Sequence, residues 1–467
     1  MNIRYLRDAH RMGVRCCDLI LLWSRPVVRE QVDSAALGTA PRWIWALFLA
    51  LVAFAPGSTK VAGSIWIFTV SFAVWCLFFV PKASALRTDE AALLSLSKLW
   101  LRFCIVAMAF KAVGMTYWGD PWWTRHFDFR ILLAAAAMPT LLARFRISAE
   151  QKSQLISALV IASGVALIVA YRLAYHDVET PSNRINWSGG LVMLTCAILP
   201  MLKDDLLAGR QKWAVGVGAV AYVLAVLLIG ARGAYLALPW VFFGGVVLLG
   251  GSMWRSIGAT RSRRYAALVL VGMLAIVPIF LPKVLEVPVE RVTQGVSELQ
   301  AMVSREAVDS SAIDTSVGTR LYMWQRSKNM IAESPWIGFG REQRIAFIQT
   351  WGAEANAHIV LDQTHLHSEY VNGMIDHGIF GLLSTLSYMV GAVVLAWKLR
   401  RLFPLAAFSV GGIAYTHIVM SFTDTNSQTN NYSVMLTVSL LIVFLLSLSD
   451  PARRMESQNE RLVPSAK

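Results

Sequence analysis

The stretch THLHSEYVNGMIDHGIFGLL, Thr364–Leu383, sets His365 and His367 two positions apart, ahead of an acidic, glycine-punctuated segment that runs into apolar sequence. A chain with only 8 His thus places two of them at the mouth of what reads as a membrane helix. Histidine titrates near neutrality without special tuning, so general-base chemistry ranks first for this pair. A helix cap ranks second. A metal pair ranks third, because His-Leu-His shows no well-placed third ligand. His377 reads as a structural residue of the following helix. Glu369, Asp376 and Asp424 are the acidic residues kept in reserve near the pair.

Arginines form the second set. Arg232, in GARGAY between two apolar runs, has no other charge nearby, and a guanidinium at that depth calls for an anionic partner or a water-filled cavity; the alternative is a snorkelling Arg at a tight turn. Arg184 stands in PSNRINW ahead of an apolar run, and Arg320 in GTRLYMW opens a helix with Trp324 one turn on. Each alone fits a solvated surface residue. Together on one side they supply the planar forks that grip phosphate or pyrophosphate, and beside a membrane such an anion suggests a lipid phosphate.

The elements that must position these groups are membrane helices. The 467 residues are 56% hydrophobic and 15% charged, with a mean hydropathy of +0.52, too apolar for a soluble fold. Runs of helical-span length predict twelve spans near 42–56, 61–81, 91–115, 127–143, 153–172, 187–202, 212–230, 233–251, 264–282, 379–397, 403–422 and 432–449. The net charge of +14 comes from Lys and Arg gathered in the loops of one side, which reads as positive-inside topology with both termini cytoplasmic and not as nucleic-acid binding. The expected organisation is a cytoplasmic amphipathic segment at 1–41, spans 1–9 over 42–282, a periplasmic loop at 283–367, spans 10–12 over 368–449, and a cytoplasmic tail at 450–467. Amphipathic helices are predicted in the loop over 289–308 and 319–334, the second stopped by SPWIGFG. TYWGDPWWTRHFDF, Thr116–Phe129, reads as an interfacial aromatic belt, with a carbohydrate-stacking platform as the minor option. None of the five Cys (16, 17, 76, 104, 196) lies in the long loop, and neither a disulfide framework nor zinc spacing is recognisable.

At these residues the chain resembles the O-antigen ligase and polymerase superfamily of bacterial envelope glycosyltransferases. His367-Ser368 stands at that family's His-Asn pair, Tyr370 at its aromatic, Asp376 at its acidic position, and Gly378, Gly381, Leu382 and Leu383 at its Gly-x-x-Gly-Leu-Leu ending. GARGAYLAL is similar to the family's Ser-Arg-Gly segment, and GTRLYMWQRSKNMIAESPWIGFG to its Gly-Arg, Trp, Pro-x-x-Gly-x-Gly segment. Ser368 and Ala231 depart from the usual Asn and Ser. The resemblance implies an all-α integral membrane protein of about 12 transmembrane helices, GT-C-like, with one large periplasmic loop. It implies an O-antigen ligase of the bacterial inner membrane that works at the periplasmic face without metal or cofactor. The donor would be O-antigen on undecaprenyl pyrophosphate, the acceptor lipid A-core, and the step an inverting transfer in lipopolysaccharide biosynthesis. His367, in register with the family histidine, would deprotonate the acceptor, with His365 beside it. Arg232, Arg320, Arg184 and Trp324 would hold the substrate. Alternatives are an O-antigen polymerase or a pilin oligosaccharyltransferase of the same superfamily and, from a different class, a secondary transporter. A transporter would show internal repeats and polar groups near the bilayer midplane.

Overall fold

A computed structural model of the chain describes residues 38–39, 41–83, 86–121, 126–176, 179–204, 207–245, 282–303, 310–426 and 429–448. The expectations for the N-terminal segment through residue 37, Cys16, Cys17, span 9 through residue 281 and the tail from residue 450 fall outside the described residues, as does the end of span 8 from residue 246.

The architecture is all-α. The first helices are α1 (Arg42–Phe54), α2 (Thr59–Phe79), α3 (Thr88–Trp118), α4 (His126–Leu142), α5 (Ala149–His176), α6 (Arg184–Ile198) and α7 (Gly209–Ile229). A single turn, α8 (Arg232–Tyr235), follows. The long loop supplies α9 (Lys283–Val303), α10 (Ser310–Ile313), α11 (Ser316–Glu333), α12 (Arg341–Glu354) and α13 (His358–Leu361). The chain then continues as α14 (Glu369–Leu399), α15 (Pro404–Met420) and α16 (Asn430–Ser447). A pair of two-residue strands, Gly38–Thr39 and Phe145–Arg146, is the minor exception.

Six of these helices are long and apolar enough to cross a membrane and three more are apolar but shorter, so part of the expected set of twelve is present among the described residues. These elements lie within one unit, Leu37–Lys82 with Leu86–Lys467. At its centre is α6, whose residues from Asn186 to Ile198 are all buried. Lipid is as apolar as a leucine side chain, so close packing and not hydrophobic burial holds such helices together, and small residues permit it. Gly189 on α6 lets Met420 and Tyr432 approach to where a β-carbon would stand 2.8 and 2.9 Å away.

Charges inside the bundle are paired, as their desolvation requires. Lys111 on α3 bonds Asp128 on α4, and Lys152 bonds Asp204. These pairs escaped the sequence reading, which looked for unusual groups at one surface only. The two loop helices expected at 289–308 and 319–334 appear as α9 and α11, each shifted a few residues toward the N-terminus, while α12 was not expected.

The largest departure concerns α14. Its span was expected from residue 379, yet the helix begins at Glu369 and is broken in the middle, where His377 (φ −135°, ψ 18°) and Gly378 (φ 58°, ψ −143°) leave helical geometry. The break frees two carbonyls, and the loop segment after α11 fills it. Phe339 and Gly340 donate their N–H groups to the Ile375 and Asp376 carbonyls, both at 2.8 Å, and Ile379 donates to the Pro335 carbonyl at 2.8 Å. SPWIGFG therefore does more than end a helix. Trp118, expected in an aromatic belt, donates its indole N–H to the Ile337 carbonyl at 3.0 Å, and Asp120 lies 3.0 Å from the His377 ring. His377, read from the sequence as a structural interfacial residue, is buried.

A β-carbon on Gly378 would stand 2.3 Å from the Trp336 carbonyl carbon, in a backbone region that is essentially reserved for glycine. Gly378→Ala is therefore expected to destabilise the folded protein by ~1–3 kcal/mol from backbone strain alone, with further loss from the clash. A lowered unfolding temperature in detergent checks this; an unchanged one contradicts the docked break.

Candidate active site at the loop and helix junction

The residues just before α14 are held by their backbone. Trp324, on α11, donates its indole N–H to the Leu366 carbonyl at 2.7 Å, and the Leu366 N–H reaches Asn372 Oδ1 at 3.3 Å. Asn372 is in turn bonded by Arg344 of α12, whose Nε lies 3.2 Å from Asp376 Oδ1. All three of these partners are buried. Leu366 is thus gripped on both sides, and the histidines that flank it inherit that rigidity. His367 is one of two non-glycine residues with positive φ among those described (50°), a strained conformation that persists only where the surroundings impose it.

The two rings lie 4.3 Å apart, centroid to centroid, and both turn toward Asp424, which follows α15. His365 Nε2 is 3.2 Å from Asp424 Oδ1, and His367 Nδ1 is 3.4 Å from the same oxygen. The Thr425 N–H also donates to Oδ1 at 2.8 Å, while Oδ2 is buried with no hydrogen-bond partner among the described residues. The other nitrogen of His367, Nε2, meets Gln363 Oε1 at 2.8 Å. The side chain of Asp424 is 1% exposed, that of His367 15% and that of His365 28%, so the cluster opens outward through His365.

Burial pushes the Asp424 carboxyl up, but the hydrogen bonds and charge of the two histidines outweigh it and hold the group below the ordinary carboxylate range. Burial lowers His367, and Asp424 only partly opposes this, so its ring is neutral at neutral pH. That is the state a base needs.

Arg320 and Arg232 border the same region. Arg320 feels the charge of Asp424, Arg232 and Glu298, and burial works against its own charge. Its Nη1 bonds the Ser316 carbonyl and hydroxyl, both at 2.8 Å, while its Nε is buried and unpartnered among the described residues. Arg232 lies in the expected tight turn after Gly230 (φ 72°), but its fork is already occupied: Glu298 of α9 accepts from Nη1 and Nη2 at 3.3 and 3.2 Å. Burial raises Glu298, yet Arg232 and the Val317 N–H bring it below its ordinary value. An incoming anion must share Arg232 with Glu298. Arg184 sits exposed in the first turn of α6 and forms no ion pair among the described residues. Trp324 spends its indole N–H on the backbone at Leu366 and so orients the histidines.

The sequence reading missed the roles of Glu298, Gln363, Asn372 and Arg344, and Asp424 was only in reserve. No local spacing could reveal Asp424, because 59 residues separate it from His365. Asp424 also supplies the third potential ligand that His-Leu-His lacked. Of the reserve acids, Glu369 is buried and accepts the Ser421 hydroxyl at 2.7 Å, tying α14 to α15, and Asp376 is held by Arg344.

A family model described as O-antigen ligase matches residues 217–386. The matched stretch contains Arg232, Arg320, Trp324, His365 and His367, and it omits Arg184 and Asp424. No curated protein matches the chain.

A reaction that needs neutral His367 should rise with pH through a value below the ordinary ~6.5 of histidine and then level off. Asp424 favours the ring cation, so Asp424→Asn should move that acid limb to still lower pH while cutting the rate by ~10²- to 10⁴-fold through lost orientation of the base. A pH profile of the variant with an unmoved limb would separate Asp424 from the histidines.

Proposed function

The match over residues 217–386 supports assignment of this chain to the O-antigen ligase/polymerase superfamily, and on that premise we propose that it is an O-antigen ligase. In this reading it is a multi-pass membrane glycosyltransferase that moves a glycan from undecaprenyl pyrophosphate to lipid A-core at the periplasmic face of the inner membrane. The observation that carries the reading is the convergence of a histidine pair on one buried carboxylate, Asp424, at the end of an apolar helix, with Arg320 within electrostatic reach.

The chemistry follows from those charges. Arg320, with an unpartnered Nε, makes the first contact with the pyrophosphate, and Arg232 adds a second cation when Glu298 yields part of its fork. His367 then works through Nε2. Asp424 faces its Nδ1 and favours the tautomer that leaves Nε2 free to accept, an arrangement like the carboxylate and imidazole of a serine-protease triad. The Gln363 amide lies where an acceptor hydroxyl would bond, so the acceptor exchanges places with it. As the acceptor oxygen bonds to the anomeric carbon, its proton passes to Nε2, the carbon–oxygen bond to the pyrophosphate breaks, and the configuration inverts. The departing negative charge stays on the arginines. Positioning and fixed charge supply most of the acceleration.

A deletion strain tests the assignment. Loss of the whole lipopolysaccharide ladder with lipid-linked polymer retained supports a ligase; a core-plus-one-unit band indicates a polymerase instead. In purified protein, Arg320→Ala should lose donor binding and transfer together, and lysine should not restore them at a site that uses a planar fork. His367→Ala should lower transfer by ~10²-fold or more while the lipid-linked donor still binds. His365→Ala should leave partial activity, and the reverse outcome for the two histidines exchanges their roles. Transfer should persist in EDTA; an EDTA-sensitive activity restored by magnesium would refute the reading without metal.

A further inference from the structure

His365, His367 and Asp424 do not merely approach one another. Their ligating atoms all lie within 4.8 Å, drawn from two stretches of chain that the fold fixes separately. A tetrahedral ion with bonds of ~2.0–2.1 Å to nitrogen and oxygen requires ligand atoms ~3.3 Å apart. The two separations measured from Asp424 Oδ1, 3.2 Å to His365 Nε2 and 3.4 Å to His367 Nδ1, match that edge.

Two further observations point to a cation at this place. Asp424 is almost completely buried, yet its Oδ2 has no hydrogen-bond partner among the described residues, and the buried Nδ1 of His367 is held only by a long 3.4 Å approach to Asp424 Oδ1. Leaving such groups poorly paired is costly, and a cation held by both oxygens of Asp424 and by Nδ1 would satisfy them. Gln363 supplies what metal sites ordinarily place behind a histidine: an acceptor 2.8 Å from Nε2 that would hold the proton there once Nδ1 serves as the ligand. The opening through His365 leaves room for a water as fourth ligand.

We propose that His365, His367 and Asp424 form a Zn²⁺ site, and that the ion, once bound, inhibits the protein by occupying the base. The donor set of two imidazoles and one carboxylate suits zinc and disfavours magnesium and calcium, which take oxygen ligands. Arg320, within electrostatic reach of the same carboxylate, would oppose a bound cation by charge repulsion. The metal and the acceptor hydroxyl draw on His367 in opposite tautomers. Zinc on Nδ1 requires the proton on Nε2, whereas catalysis requires Nε2 bare. A loaded site therefore cannot accept the acceptor's proton. The inhibitory half of the inference rests on the transferase reading; the binding half does not.

The test uses tag-free full-length protein in detergent, stripped with EDTA and dialysed, then titrated with ZnCl₂ in about 100-fold excess of MgCl₂ against a chromophoric chelator. One equivalent should bind, and Co²⁺ in its place should give the strong visible bands of a tetrahedral ion. His365→Ala, His367→Ala and Asp424→Asn should each abolish that equivalent or weaken it at least as much as Gln363→Ala, for which ~10- to 100-fold is expected. Transfer should fall as the site fills and return with EDTA. No tight equivalent, or one that survives all three ligand variants, overturns the site and leaves the transferase reading standing. Zinc bound at these three residues with transfer undiminished overturns the inhibition. Zinc bound there in a protein that transfers no glycan under any condition supports the site and overturns the transferase reading instead.

Discussion

The structure around the site depends on a broken helix whose gap is filled by another part of the chain. Between His377 and Gly378 the ladder of α14 is interrupted, and exposed peptide groups at such a depth would each cost several kcal/mol without partners. The segment from Pro335 to Gly340 provides them, through three backbone bonds at 2.8 Å. Gly338 (φ 71°) and Gly340 (φ 80°) give that segment the shape to enter. The first two turns of α14 thereby become part of the loop's core as much as of the span. Asn372 and Asp376, in those turns, face Arg344 on α12, so the loop helices and the histidine segment share one set of buried bonds.

Upon that frame the site is arranged as alternating charge. Asp424 carries the negative charge, with two imidazoles against it and the Arg320 guanidinium within electrostatic reach; Glu298 answers Arg232 a short way off. Burial strengthens each of these interactions and makes an unanswered charge expensive. Every cation that would meet a pyrophosphate is thus already balanced by a carboxylate in part. Such a site holds its shape without substrate, and the anion it admits must offer more charge than one carboxylate does.

Much of this was legible in the sequence, for identifiable reasons. Membrane helices announce themselves by apolar length, and α2, α3, α5, α6 and α7 lie where that rule puts them. The histidine pair and Arg232 stood out because polar groups at the border of apolar sequence are costly. Two kinds of feature were hidden. Partners distant in sequence, such as Asp424 for His365 or Glu298 for Arg232, carry no local period. The break in α14 is written as one glycine in an apolar run, and glycine is common in membrane helices. Only the matching segment Pro335–Gly340 gives that glycine its meaning. Trp324 was chosen as a substrate contact from its spacing to Arg320, but spacing does not tell which way an indole N–H points, and here it points to Leu366.

The sharing of Asp424 by two rings has a consequence in stoichiometry. In the proposed transferase, one carboxylate would balance one positive imidazole. A proton delivered to His367 would then have to depart before the next acceptor could be deprotonated, and the exposed edge of His365 would be its way out to water. The two histidines would divide one task in time, the inner ring taking the proton and the outer ring passing it on.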